Sequence, residues 1–234
     1  MKYHKLFYNP NARPMTTKKQ FDDSFKAKYG KTYIEAEADM AEVMRPRVLR
    51  ILEITKLWDL TLLDFGTAYG AFLSCLPPDW IGYGIEKIPA IAKKAQDMGR
   101  KVYSCDGKSD INKLIGGVHV FTAWNVIEHL DNLGEFFDIA GLFLRPDGLL
   151  CISTPNSAGG TFRFRRDEYE RADAGDHYWH FTPKSLKRLL EAEGYEVVKT
   201  VITGHHPSRW GGAMFLSKLL RLGDTFETYA RRRI

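Results

Sequence analysis

Four stretches of the sequence close an apolar run with residues able to do chemistry, at intervals of about twenty residues. The first is "LLDFGTAYGAFL" (62–73), in which Asp64 precedes Gly66 and Gly70. Glycines at such a turn let the backbone approach a ligand, and a following helix start offers unpaired N–H groups. A dinucleotide turn needs G-x-G-x-x-G, and counted from Gly66 the pattern fails at Ala68 and Ala71. A phosphate loop fails too, since no G-K-[ST] follows. The acid ahead of the glycines sets the sign of the ligand: it repels a pyrophosphate and attracts an amino group.

That chemistry points to S-adenosylmethionine, which carries an ammonium at its methionine end and a sulfonium at its centre. The other three stretches suit the same ligand. Glu86 closes "GYGIE" 22 residues after Asp64, where an acid accepts hydrogen bonds from ribose hydroxyls. Asp106 in "VYSCDG" is placed to accept from an adenine amino group, and Trp124 and Asn125 in "VFTAWNVIEHLDN" to floor the pocket beside the reacting methyl. Beyond them lie acceptor-side candidates. His129 is a general-base candidate because imidazole titrates near neutral pH, with the alternative that it caps the helix starting near Asp131. His180, in "GDHYWHF" with Asp176 and His177, either lines the pocket or anchors the loop. His205 and His206 read as a surface turn, with the alternative that they face the acceptor. No residue is assigned to a metal in this reading.

The elements that must position these residues follow from patterning. Strands are expected at 60–65, 81–86, 101–105, 118–123 and 148–154, and helices at 70–76, 89–98 and 132–144, with a short one near 109–115. Such alternation builds a parallel sheet with helices on both faces. Upstream, 37–55 has apolar residues at helical spacing, with Pro46 marking a kink or a second helix start. Downstream, Thr182 caps a helix that Pro183 begins and Gly194 ends. A strand, a helix over "WGGAMFLSKLLRLG" and a last alternating strand, "DTFETYARR", complete the chain. Residues 1–36 are basic and aromatic and read as an extension or lid. Residues 37–234 form the main domain, and the long insert 156–181 is a second lid candidate on the substrate side.

The 234 residues are 44% hydrophobic with a net charge of +5. This fits a folded chain, and the charge lies within the range ordinary solubility explains. No apolar run reaches membrane-spanning length, and "MKYHKLFYNP" lacks the apolar core of a signal peptide, so a cytoplasmic location is expected. Three scattered cysteines argue against disulfides and a zinc module.

Together "LLDFGTAYGAFL", "GYGIEK", "SCDG", "FTAWNVIEHL", "FLRPDGLLCISTPN" and "HYWHFTPKSLKRLLEAEGYEV" resemble the class I S-adenosylmethionine-dependent methyltransferases. The last three resemble the branch of ubiquinone-biosynthesis and glycan or secondary-metabolite O-methyltransferases. The resemblance covers about Val48 to Arg233. It implies a Rossmann-like α/β fold, a seven-stranded, mostly parallel sheet in the order 3-2-1-4-5-7-6 whose seventh strand is antiparallel. It implies cofactor roles for Asp64, Gly66, Thr67, Ala68, Gly70, Phe72, Glu86, Lys87, Asp106, Gly107, Trp124 and Asn125. One departure is Ala68, where members usually carry glycine. The expected activity is O-methylation of a small-molecule, sugar or lipid-linked acceptor. Two alternatives stand beside it. One is metal-assisted methylation of an RNA ribose, echoed by "NVIEH" and "HYWH" but with Asn125 where that family has a glutamate. The other is a non-catalytic scaffold on the same fold.

Overall fold

The structure is a computed structural model that describes residues 7–105, 110–167, 175–204, 217 and 219–233. Contacts divide the chain into two units. The N-terminal unit comprises Met15–Trp124 and Ile139–Leu149, and the C-terminal unit Met1–Pro14, Asn125–Asp138 and Leu150–Ile234.

In the N-terminal unit, helix α1 (Lys18–Tyr29) begins at a capping box between Thr17 and Gln20 and ends at Gly30 in the left-handed region. Helix α2 (Glu37–Thr55) runs through Pro46 as one element. Strands β2 (Leu60–Phe65), β3 (Trp80–Glu86), β4 (Val102–Ser104) and β5 (Val118–Trp124) follow, with α3 (Pro89–Asp97) between β3 and β4. β2 is parallel to both β3 and β5, and the register sets Asp64 opposite Gly84 on one side and Thr122 on the other. The near-continuous apolar runs of β2 and β5, with Leu62, Leu63, Val120 and Phe121 fully buried, are those of strands covered on both faces. Helix α4 (Leu133–Phe143) leads directly into β6 (Leu144–Pro155), which passes from one unit into the other.

In the C-terminal unit, α5 (Gly160–Phe164) is a single turn, and α6 (Pro183–Ala192) starts at the expected Thr182 cap, its hydroxyl accepting from the Ser185 N–H. β8 (Tyr195–Thr203) and β9 (Thr225–Arg232) pair antiparallel. A separate two-stranded ribbon joins β1 (Phe7–Tyr8) to β7 (Trp179–His180). The large sheet has the order β4-β3-β2-β5-β6-β9-β8. Counting only its own strands along the chain, that is the expected 3-2-1-4-5-7-6.

Two expectations change. The helix expected over 70–76 is only a 3₁₀ turn, Leu73–Cys75. Gly70 is left-handed (φ 79°), and Leu76 is extended (ψ 144°) because it precedes Pro77, so too few residues remain for an α-helix. The short helix near 109–115 is likewise 3₁₀, Asp110–Leu114. Residues 205–216, which include His205, His206 and the start of the expected late helix, lie outside the described residues.

Gly159 is a tight point of the C-terminal unit. A Cβ there would stand 2.7 Å from the Gly223 carbonyl oxygen and 3.0 Å from that of Asn156, both backbone atoms that cannot rotate away. Gly159→Ala is expected to cost about 1–3 kcal/mol by overpacking, read as a lower urea midpoint at unchanged slope.

Candidate functional site

The first turn of the N-terminal unit is built around two acids. Asp64 is 3% exposed and accepts a 2.5 Å hydrogen bond from the Thr122 hydroxyl across the β2–β5 pair. Burial pushes its carboxyl up to about 6 against the pull of the Thr122 and Thr67 hydroxyls and the Arg47 charge. Glu86, 8% exposed at the end of β3, accepts from the N–H of Ala68 (3.0 Å) and, through its other oxygen, from that of Ile88 (2.9 Å). Burial raises its carboxyl too, opposed by those backbone donors. The carboxylate therefore ties the turn after β2 to the turn after β3 and keeps lone pairs for a ligand.

The turn is unusually left-handed, with Gly66 at φ 72°, Ala68 at 50° and Gly70 at 79°. The N–H groups of Gly66 and Thr67 are spent on the Ile85 carbonyl, and that of Gly70 on Thr67. Since no α-helix follows, the turn offers no helix N-terminus, and its chemistry is carried by the acids. Gly84 matters by close approach: a Cβ there would meet the Thr67 methyl at 2.5 Å.

Trp124 ends β5 with its ring edge-on to Phe72 at 5.3 Å between centroids. The guanidinium of Arg47, 4% exposed, lies 4.5 Å from the Trp124 ring centre. Lys87 is exposed. Asp106 and Gly107 lie outside the described residues.

The segment before α2 packs onto this turn. Tyr33, Tyr69, Ala71, Ile88 and Ile91 form one buried cluster, with Phe21, Phe25, Met40 and Ala68 against it. The Tyr69 hydroxyl donates to Asp22 of α1 at 2.6 Å, and Arg100 donates to the Tyr69 carbonyl and pairs with Glu37.

The C-terminal unit holds the remaining predicted residues. Asn125 is left-handed (φ 54°), with its N–H on the Ser153 carbonyl and its side-chain oxygen accepting from the Ser153 hydroxyl. His129 has Nδ1 3.2 Å from the Asp176 carbonyl oxygen and 3.3 Å from its Oδ2. Both oxygens accept, so Nδ1 is the donor of this contact. Rather than capping a helix, this imidazole is held by the loop that precedes β7. The His177 ring is edge-on to that of His129 at 4.7 Å, and His180 stands further off at 6.2 Å from His177.

A family model described as "Methyltransferase domain" matches residues 36–200. The chain belongs to that family and is an S-adenosylmethionine-dependent methyltransferase of class I. Solved structures agree on the fold. A methyltransferase of Archaeoglobus fulgidus is similar at 15% identity and TM-score 0.63, over 89% of this chain and 98% of that one. The magnesium protoporphyrin IX methyltransferase of Synechocystis, solved with S-adenosylhomocysteine, is similar at 13% identity and TM-score 0.62, over 92% and 95%. A methyltransferase of Haloferax volcanii, in complex with the activator Trm112, is similar at 14% identity and TM-score 0.59, over 86% and 97%. No curated protein matches the sequence significantly.

The methyltransferase's cofactor is S-adenosylmethionine, and the donor set of the first turn fits it: two buried acids at adjacent strand ends, Asp64 and Glu86, suit a ligand bearing an ammonium and ribose hydroxyls. Arg47 is the residue that sequence reasoning missed. "MRPR" offers Arg45 and Arg47 on either side of Pro46, and only the packing of α2 distinguishes the exposed one from the buried one. Asp176 is legible as an acceptor-side candidate in "GDHYWHF", but nothing in a sequence reveals that its loop reaches His129. No described helix is long and apolar enough to cross a membrane.

Ala68 carries a Cβ in a left-handed conformation that costs about 1–2 kcal/mol, more than its half-buried methyl returns. Ala68→Gly is therefore expected to raise stability by roughly 0.5–1 kcal/mol, measured as a higher melting temperature of the cofactor-free chain.

Proposed function

We propose that this methyltransferase methylates an oxygen of a small-molecule, sugar or lipid-linked acceptor. The observation that carries the reading is the His129 imidazole, held at Nδ1 by the Asp176 carbonyl and carboxylate with Nε2 not engaged by that loop residue. An amine acceptor, once neutral, needs no such group, whereas a hydroxyl has to lose a proton as it reacts.

When bound, S-adenosylmethionine supplies a methyl group already activated on a sulfonium. The chain's own residues then have to bind, align and exclude water. Asp64 receives the ammonium of the methionine end, Arg47 its carboxylate, and Glu86 the ribose hydroxyls. Phe72 and Trp124 supply aromatic surface, and the flanking Gly66, Thr67 and Gly70 keep the backbone close. The Tyr33–Tyr69 cluster supports the lid reading of the 1–36 extension for the part of it that belongs to this unit. Activation of the acceptor oxygen falls to the group around His129, with His180 beside it. Ribose methylation of RNA uses the same oxygen chemistry, so an acceptor screen separates the two.

Calorimetric titration with S-adenosylhomocysteine tests the cofactor half. Micromolar binding is expected in the intact chain, with at least a tenfold loss in Glu86→Gln, which keeps the size of the side chain but loses the charge. No binding by the intact, folded chain would leave a scaffold on a methyltransferase fold. Transfer of labelled methyl to sugars and quinols, set against amines and RNA, tests the acceptor half.

Asp64 adds a pH dependence. Its folded carboxyl titrates near 6, above the ordinary 3.8. The folded chain therefore holds this proton more tightly than the unfolded one, and its contribution to stability falls as pH rises from about 4 to about 6. Only the ionised form attracts an ammonium, with Arg47 and Glu86 as the nearby charges that tune it. Cofactor affinity is expected to rise between pH 5 and pH 7, and Asp64→Asn to flatten that rise.

A further inference from the structure

Glu128 is 1% exposed, and among the described residues neither of its carboxylate oxygens has a hydrogen-bond partner. A buried carboxylate without a donor is costly, and chains resolve that cost with a counter-charge or a metal. Around this one the donors are imidazoles. One ligand atom each from Glu128, His129 and His177 lies within 4.8 Å of the others. His129 Nε2, the ring nitrogen that Asp176 does not hold, faces Glu128 Oε1 at 4.0 Å, too long for a hydrogen bond.

We propose that Glu128, His129 and His177 form a binding site for a divalent transition-metal ion of the zinc type. Two imidazoles and a carboxylate are a donor set for zinc, iron or cobalt, whereas magnesium and calcium take oxygen ligands. Ligands about 2.0–2.2 Å from one ion stand roughly 3–3.5 Å apart, so the cluster has to close by about an ångström. The surroundings hold the ligands in place. Asp176 grips His129 Nδ1, which is the outer carboxylate–histidine contact that fixes a ligating ring. Its other oxygen lies 3.8 Å from His177 Nε2. The Tyr178 N–H donates to the Glu128 carbonyl at 2.7 Å, and the Trp179 indole N–H to that of Leu130 at 2.6 Å, so the loop bearing His177 is stitched to the turn bearing the other two ligands. Three protein ligands leave positions open to water or to an acceptor oxygen.

For the acceptor, this rests on the O-methylation reading: an oxygen on the ion loses its proton more readily, and His129 then serves as a ligand. The site itself is tested without cofactor or acceptor, so its failure and the failure of that reading are distinguishable. The full chain, stripped with chelator, is dialysed against Zn²⁺ and titrated with Co²⁺ while the visible spectrum is followed. The expected result is one equivalent per chain, a cobalt spectrum displaced by zinc, and a zinc-dependent rise in melting temperature. Glu128→Gln and His177→Asn are each expected to weaken binding at least tenfold and to abolish the rise, while His119→Asn, in the other unit, changes neither. Glu128→Gln also removes the buried charge, so the metal-free variant is expected to melt no lower than the parent and stays testable. No stoichiometric binding, binding undiminished in the ligand variants, or a preference for Mg²⁺ over Zn²⁺ would overturn the proposal.

Discussion

The N-terminal unit depends on one carboxylate. Glu86 accepts from the N–H of Ala68 in one turn and of Ile88 in the next, and so fixes the gap between the ends of β2 and β3. Charge-assisted bonds of this kind contribute about 1.5–3 kcal/mol each, enough to keep a largely buried acid in place although burial still raises its carboxyl. The left-handed run through Gly66, Ala68 and Gly70 is tolerable because its middle N–H has this partner. In many nucleotide-binding turns a helix start supplies the polar end. Here the helix is missing, because Pro77 and Pro78 follow too soon, and two acids do the same job with the opposite sign. That sign is what suits a cationic cofactor.

The sheet was largely legible in the sequence because its signals are local and redundant. Apolar runs of strand length, turn residues between them and acids at their ends all agree, and handedness leaves few ways to order parallel strands. The capping of α6 by Thr182 was legible for the same reason, since a cap and the residue it serves lie within one turn of chain. The turn after β2 was legible in its residues but not in its shape. The glycines and the acid were visible, whereas the helix after them failed on prolines whose effect on Leu76 the apolar pattern obscured.

What escaped the sequence depends on contacts between distant residues. Arg47 precedes Trp124 by 77 positions, and only the packing of α2 turns its guanidinium onto that ring. Tyr69 meets Asp22 across 47 positions. Asp176 reaches His129 from 47 residues away, through a loop whose own sequence carries no periodicity. Each of these side chains has an ordinary alternative reading as solvated surface, and sequence alone weighs that alternative more heavily.

The same contrast explains why the cofactor is easier to name than the acceptor. Asp64, Glu86 and Trp124 stand at strand ends, where hydrogen-bonded register fixes each backbone position and a side chain's identity nearly determines its role. Glu128, His129 and His177 stand on a 3₁₀ turn and a loop, held by two carbonyl acceptors and a short ribbon. Irregular backbone of that kind can change length and direction without disturbing the sheet, so one fold accommodates many acceptors. It can also carry a costly feature that a sheet would not tolerate. Glu128, buried with neither oxygen hydrogen-bonded among the described residues, gives this cluster an electrostatic demand that groups bringing positive charge would meet.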